Sequence, residues 1–236
     1  MQAPSATEAL AVWERGAGHG AAERGLALLG LAYTGAAREA LADLPLGTRD
    51  GALLDLREAM FGPRMESCAN CPACGEMMEM GFSTRDLHAP PPDDTALTLE
   101  ADGYALRLRR LTTRDLLSLE RGDVESARRD LVSRCLVSSA NGGSVLPAPV
   151  VDAAAEALSR SDPQADIQLS ITCASCGHAW RAPFDILSYL WTELDSWAQR
   201  ILREVHVLAR AYGWHESDIL ALSPARRRAY LEMVAS

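Results

Sequence analysis

Four cysteines carry the only strong chemical constellation in this chain of 236 residues. They form two knuckles, Cys71-Pro72-Ala73-Cys74-Gly75 and Cys173-Ala174-Ser175-Cys176-Gly177. Two Cys-x-x-Cys turns together supply four thiolates, the ligand set of a closed tetrahedral Zn²⁺ site. A glycine directly after the second cysteine suits a tight turn at positive φ. The context repeats as well: Phe82 and Phe184 each lie eleven residues after the first cysteine of their knuckle. The pattern reads as a duplicated half-site, two similar arms meeting at one zinc per chain. Four thiolates leave no open coordination position, so the expected role is structural, stapling two distant stretches into one small sheet. A redox reading is weaker. Redox Cys-x-x-Cys motifs accompany a thioredoxin-like βαβ pattern, whereas both flanks here read as strands.

The other candidate groups carry less. Cys68, three residues before Cys71, could compete as a ligand but reads better as a bystander on the entering strand. Cys135 sits at an apolar helical position and is expected to be buried packing. His178 could donate to a zinc-bound thiolate; the plainer expectation is a partly exposed strand histidine. His206 and His215 imply no chemistry. Asp152, Asp162 and Asp166 are spread over loops and caps and form no paired-carboxylate site. The glycines Gly16, Gly18 and Gly20 lack the strand and lysine of a phosphate-binding loop. No catalytic residue, cofactor-binding residue or small-molecule substrate is therefore assigned, and the chain is expected not to be an enzyme.

Composition agrees with that restraint. The chain is 48% hydrophobic and 23% charged, ordinary for a globular protein, and rich in alanine and leucine, which favours helix. A formal net charge of -9 disfavours sequence-independent binding to a nucleic-acid backbone. The densest basic run, Arg226-Arg227-Arg228, is expected to face solvent near a helical C-terminus. No stretch reaches the roughly 18 apolar residues of a membrane span. No secretory signal opens the chain, and clustered cysteine pairs then favour metal over disulfides, so folding is expected in a reducing cytoplasm.

The elements that must position the knuckles follow from pattern. The predicted fold is α+β and mainly helical, with a small zinc-ribbon-like antiparallel β unit built from the two distant knuckles and a long C-terminal helix. Residues 1–63 read as an N-terminal helical unit, with helices over 6–16, 21–33, a third capped by Thr34, and a fourth capped by Thr48 that stops at Phe61-Gly62-Pro63. Residues 64–87 form the first knuckle arm, followed by a proline-rich linker over 88–94. Residues 95–163 are an inserted hairpin and helices. The hairpin turns at Asp102-Gly103 between alternating segments, helices are expected over 113–119, 123–137 and 150–159, and Asn141-Gly142-Gly143 reads as a loop. An insert of about a hundred residues adds little closure entropy if its own core folds. Residues 164–184 are the second arm. In 185–236, Leu187, Trp191, Leu194, Ala198, Ile201, Val205, Leu208 and Tyr212 recur at steps of four and three, broadened by Leu190, Trp197, Leu202 and Ala209. That stripe predicts a long helix buried against several others, stopped at Gly213. Two short terminal helices follow, the last with Ser223 as N-cap and Pro224 at its first position.

Several of these segments together carry a resemblance. They are Leu56-Arg57-Glu58-x-x-Phe61-Gly62-Pro63, both knuckles, Phe184-Asp185-Ile186, Trp191-x-x-Leu194-x-x-Trp197-Ala198, the run Arg203 to Trp214, Asp218 to Pro224, and Arg226-Arg227-x-x-Tyr230-Leu231. In this order the chain resembles contractile-tail phage baseplate proteins of the T-even-like hub-assembly group, with relatives in phage-derived injection systems. The resemblance implies a non-enzymatic structural or assembly protein with baseplate or hub proteins as partners. It implies a cytoplasmic assembly stage, with retention in the particle as one outcome. The zinc ligands are not part of what it implies; they rest on the cysteines alone. The alternative function is a zinc-ribbon adaptor for nucleic acid or transcription machinery, against which the acidic balance counts. Contact surfaces are expected around Leu10 and Trp13, and around Trp214, Ile219 and Tyr230.

Overall fold

A computed structural model describes residues 2–90, 97–119, 123–140 and 146–235. The N-terminal unit contains α1 (Ala6–Gly16), α2 (Ala21–Ala32), α3 (Arg38–Ala42) and α4 (Leu46–Phe61). The first arm is a hairpin of β1 (Arg64–Asn70) and β2 (Met77–Ser83), followed by the single turn α5 (Thr84–Leu87). The insert comprises β3 (Leu97–Ala101), β4 (Tyr104–Leu108), α6 (Thr113–Leu117), α7 (Val124–Cys135), β5 (Leu136–Ser139) and α8 (Ala148–Ser161), and ends in a 3₁₀ turn, Pro163–Ala165. The second arm pairs β6 (Gln168–Thr172) with β7 (Ala179–Pro183). The chain closes with α9 (Ile186–Tyr212), α10 (Glu216–Leu220) and α11 (Pro224–Ala235). The fold is thus mainly helical, with small antiparallel sheets and a four-cysteine cluster at the tips of two hairpins. The loop expected at Asn141-Gly142-Gly143, most of the 88–94 linker and Thr95 lie outside the described residues.

The spine is α9. Asp185 caps it, its Oδ1 accepting from the Leu187 N–H, and Gly213 ends it in the left-handed region at φ 68°. Its apolar stripe does what period 3.6 requires: Ile186, Leu187, Leu190, Trp191, Leu194, Ala198, Ile201, Val205 and Leu208 are all buried. The first half packs on Leu28 and Leu29 of α2, Leu53, Leu54 and Leu56 of α4, and Met65 of β1. The middle takes Leu10 of α1, and the last turns take Ile219 of α10. The two outer members of the expected stripe, Leu202 and Tyr212, are instead exposed. The insert has a separate core of Leu106, Leu108, Val132, Cys135, Val150, Val151, Ala154 and Leu158. The hairpin turn is at Asp102-Gly103, with Ala101 opposite Tyr104 and φ of 47° and 79° at the two turn residues. That is the type I′ geometry that matches strand twist.

Several local expectations need correction. The four arm strands do not merge into one sheet; they remain two separate two-stranded ladders. The helix predicted over 123–137 stops at Cys135, because the next four residues leave it to pair with β4 as β5. The fourth helix starts at Leu46, not beyond Thr48, since its N-terminus is capped from far away. Asp162 Oδ2 accepts from the Gly47 N–H at 2.9 Å. Arg227 does not face solvent near a helix C-terminus. It lies in the first turn of α11, buried, with Nε donating to Glu204 Oε2 at 2.6 Å and Nη1 to the Leu222 carbonyl. The expected contact residues are largely internal. Leu10 and Ile219 are core, Trp13 donates from Nε1 to Asp195 Oδ1 at 2.8 Å, and Trp214 folds back to stack on Tyr212 and meet the edge of Tyr230.

Candidate metal centre

Each knuckle is built by the same backbone bonds. In the first arm the Cys71 N–H donates to the Glu76 carbonyl at 2.8 Å and the Gly75 N–H to the Cys71 carbonyl at 2.9 Å. In the second, Cys173 donates to His178 and Gly177 to Cys173, each at 2.9 Å. Gly75 and Gly177 both take positive φ, 77° and 71°, which explains the glycine after each second cysteine. The strands keep the match down to the base of each arm. Phe82 pairs with Met65, while Phe184 donates its N–H to the Ile167 carbonyl. The two phenylalanines then meet edge to face, with centroids 5.6 Å apart. The repeat seen in the sequence is therefore a spatial repeat, with the knuckles touching at the tips and the phenylalanines at the roots.

At the tips, Cys71 Sγ lies 3.7 Å from Cys176 Sγ, and Cys74 Sγ lies 3.7 Å from Cys173 Sγ. All four sulfurs fall within 4.8 Å of one another. A tetrahedron with Zn–S bonds of about 2.3 Å has sulfur–sulfur edges of about 3.8 Å. A disulfide would need about 2.05 Å. Each close pair joins one arm to the other, so a cation at the centre would be shared by both knuckles. Cys71 and Cys173 are buried and Cys74 and Cys176 exposed, again one of each per arm.

Burial favours the Cys71 thiol. The backbone N–H groups of Cys74 and Ala73 and the neighbouring thiols outweigh it and bring its pKa down to about 7. Cys74 has a favourable N–H from Glu76, but the sulfurs around it and burial push its pKa up to about 12. Cys176 is also raised, although the His178 backbone N–H favours its thiolate. Four sulfurs this close cannot all ionise by themselves; a divalent cation removes that conflict and leaves the N–H groups aimed at thiolates.

The remaining sequence candidates fall elsewhere. Cys68 lies outside the cluster, exposed on β1 opposite Glu79. Cys135 is buried in the insert core, where burial pushes its thiol up to about 12. The His178 ring stacks on Trp180 with centroids 6.0 Å apart, and its backbone, not its ring, serves the sulfur. His206 and His215 are exposed.

Sequence reading missed the groups that hold the first arm to the body. Arg57 of α4 donates from Nε and Nη2 to both carboxylate oxygens of Glu193, at 2.8 and 2.7 Å, and from Nη1 to the Gly62 and Arg64 carbonyls, each at 2.6 Å. Its guanidinium also sits over the Tyr189 ring, 5.7 Å from the centroid. Tyr189 in turn donates its hydroxyl to the Glu66 carbonyl at 2.9 Å. The available signal was an arginine directly after Leu53, Leu54 and Leu56, on the apolar side of a helix. Compared with known proteins, the chain matches no family model, no curated protein and no solved structure.

Proposed function

We propose that this chain is a non-enzymatic structural or assembly protein of a contractile-tail baseplate, with one structural Zn²⁺ held by Cys71, Cys74, Cys173 and Cys176. The zinc reading is carried by the two cross-arm sulfur pairs at 3.7 Å, the edge length of a zinc–thiolate tetrahedron. Bound there, the ion supplies folding energy and not a reaction, because four protein ligands leave it no position for water or substrate. The chain's own part is to present four sulfurs with N–H groups behind them and to anchor the first arm to the body through Arg57 and Tyr189.

The baseplate reading rests on the ordered segments quoted above. Many of these residues are structural positions of α9, α10 and α11: Trp191, Leu194 and Ala198 on the buried stripe, Gly213 at the helix stop, Pro224 opening the last helix. Metal analysis of protein purified under reducing conditions tests the zinc. One equivalent per chain is expected, lost in Cys71→Ser and kept in Cys68→Ser. A folded, metal-free wild-type chain would overturn it. Co-purification with baseplate proteins tests the assembly role, and functional tails formed without this protein would end it.

A further inference from the structure

Away from the metal centre, a cavity of about 280 Å³ opens where α7 and α8 meet the start of α4. Its walls are apolar: Leu46, Leu111, Leu131, Val132 and Leu158. Among the described residues two carboxylates line it as well. The sequence places Asp162 and Asp166 on separate caps and loops, yet both, flanking the 3₁₀ turn, line this space. Asp162 is only 5% exposed. Its Oδ2 accepts the Gly47 N–H, but its Oδ1 is buried with no hydrogen-bond partner among the described residues. Asp166 accepts from Ser159 and Gln168, both neutral donors. Among the described residues neither carboxylate forms an ion pair. The one cation among the described residues that line the cavity, Arg128, is engaged by Asp152 at 3.0 Å. Arg49 and Arg110 act on Asp162 only from a distance, and Arg49 is paired with Asp50.

We propose that this cavity binds a small primary amine with an aliphatic body, its chain against the leucine walls and its ammonium drawn to Asp162 and Asp166. A buried carboxylate without a counter-ion is costly. Burial raises the Asp162 carboxyl above its ordinary value, which is the penalty that a nearby ammonium relieves. A carboxylate ligand would meet two like charges. A neutral alcohol would fill the apolar space but leave the buried charge unanswered. An apolar cavity with a few convergent polar groups has the general form of a small-molecule site.

The test is a ¹H–¹⁵N NMR titration of the full chain with hexylamine, hexanol and hexanoate. Hexylamine is expected to shift cavity-lining resonances saturably and to bind about tenfold tighter than hexanol, with hexanoate weakest. Asp162→Asn, which keeps an acceptor for the Gly47 N–H, is expected to bring the amine down to the alcohol. Ala155→Phe, which fills the cavity, is expected to weaken both. Equal wild-type affinity for amine and alcohol, or no saturable shift with the amine, overturns the proposal. Should Asp162→Asn not fold, the wild-type order of the three ligands decides alone.

Discussion

Charge at single residues is arranged here for rigidity. Asp115 shows how. Burial works against its carboxylate, but both Arg109 Nη groups donate to it at 2.7 Å and Thr112 adds its N–H and hydroxyl, each at 2.9 Å. The balance holds its carboxyl below the ordinary value of 3.8. A depressed folded-state pKa means a stabilisation present in full above that ordinary value and lost as pH falls through the folded one. Urea titrations of wild type and Asp115→Asn are thus expected to show a stability gap that is constant near neutrality and narrows in acid. A gap unchanged down to the acid limit would mean that the carboxylate's charge contributes nothing. Arg57 is the other such residue. Truncating it leaves Glu193 without its partner, and Arg57→Ala is expected to lose about 3–5 kcal/mol, measured by the same titrations.

Elements differ in how openly they announce themselves. The α9 stripe was legible because nine buried positions repeat at helical spacing, and the β3–β4 hairpin because Asp-Gly sits between alternating segments. The clustering of the four sulfurs was legible because both knuckles share one local motif. Elements fixed by distant partners were not. The start of α4 is set by Asp162, over a hundred positions away, so Thr48 looked like a better cap than Pro45. Leu136 and Val137 continue the apolar spacing of α7, and only the need of β4 for a neighbour draws them out as β5. The aromatic after Gly213 folded inward because Tyr212 and Tyr230 offered it a surface. Close approach between elements was equally invisible. A Cβ on Gly16 would lie 2.2 Å from Cη2 of Trp191, whereas one on Gly30 would meet nothing within 4 Å. Gly16→Ala is expected to destabilise by about 1–3 kcal/mol through overpacking against α9. Gly30→Ala, inside α2, is expected to stabilise by about 0.5–1 kcal/mol through helix propensity. Thermal melts of the two variants should move in opposite directions. Leu194→Ala, at the fully buried centre of α9, should cost more than either change, about 2–5 kcal/mol.

The whole molecule consists of a helical body on α9, an insert with its own core, and two arms whose tips meet at the sulfurs. Chelator treatment of protein carrying the proposed zinc is expected to loosen β1–β2 and β6–β7 while the helical circular dichroism signal persists. Loss of both signals together at the same chelator concentration would mean that the centre holds the body as well. The order of the parts along the chain has a further result, during synthesis. About a hundred residues separate the two knuckles, and a ribosome adding about 5–20 residues per second needs roughly 5–20 s to pass between them. Throughout that interval the first knuckle is a bare dithiol on a nascent chain, unable to complete the four-sulfur cluster. The insert, with its own core, can fold in the meantime as a loop whose far end has not yet been made. Closure of the site then marks one moment in biogenesis, the emergence of Cys173 and Cys176. The spine helix that completes the core is translated only after it.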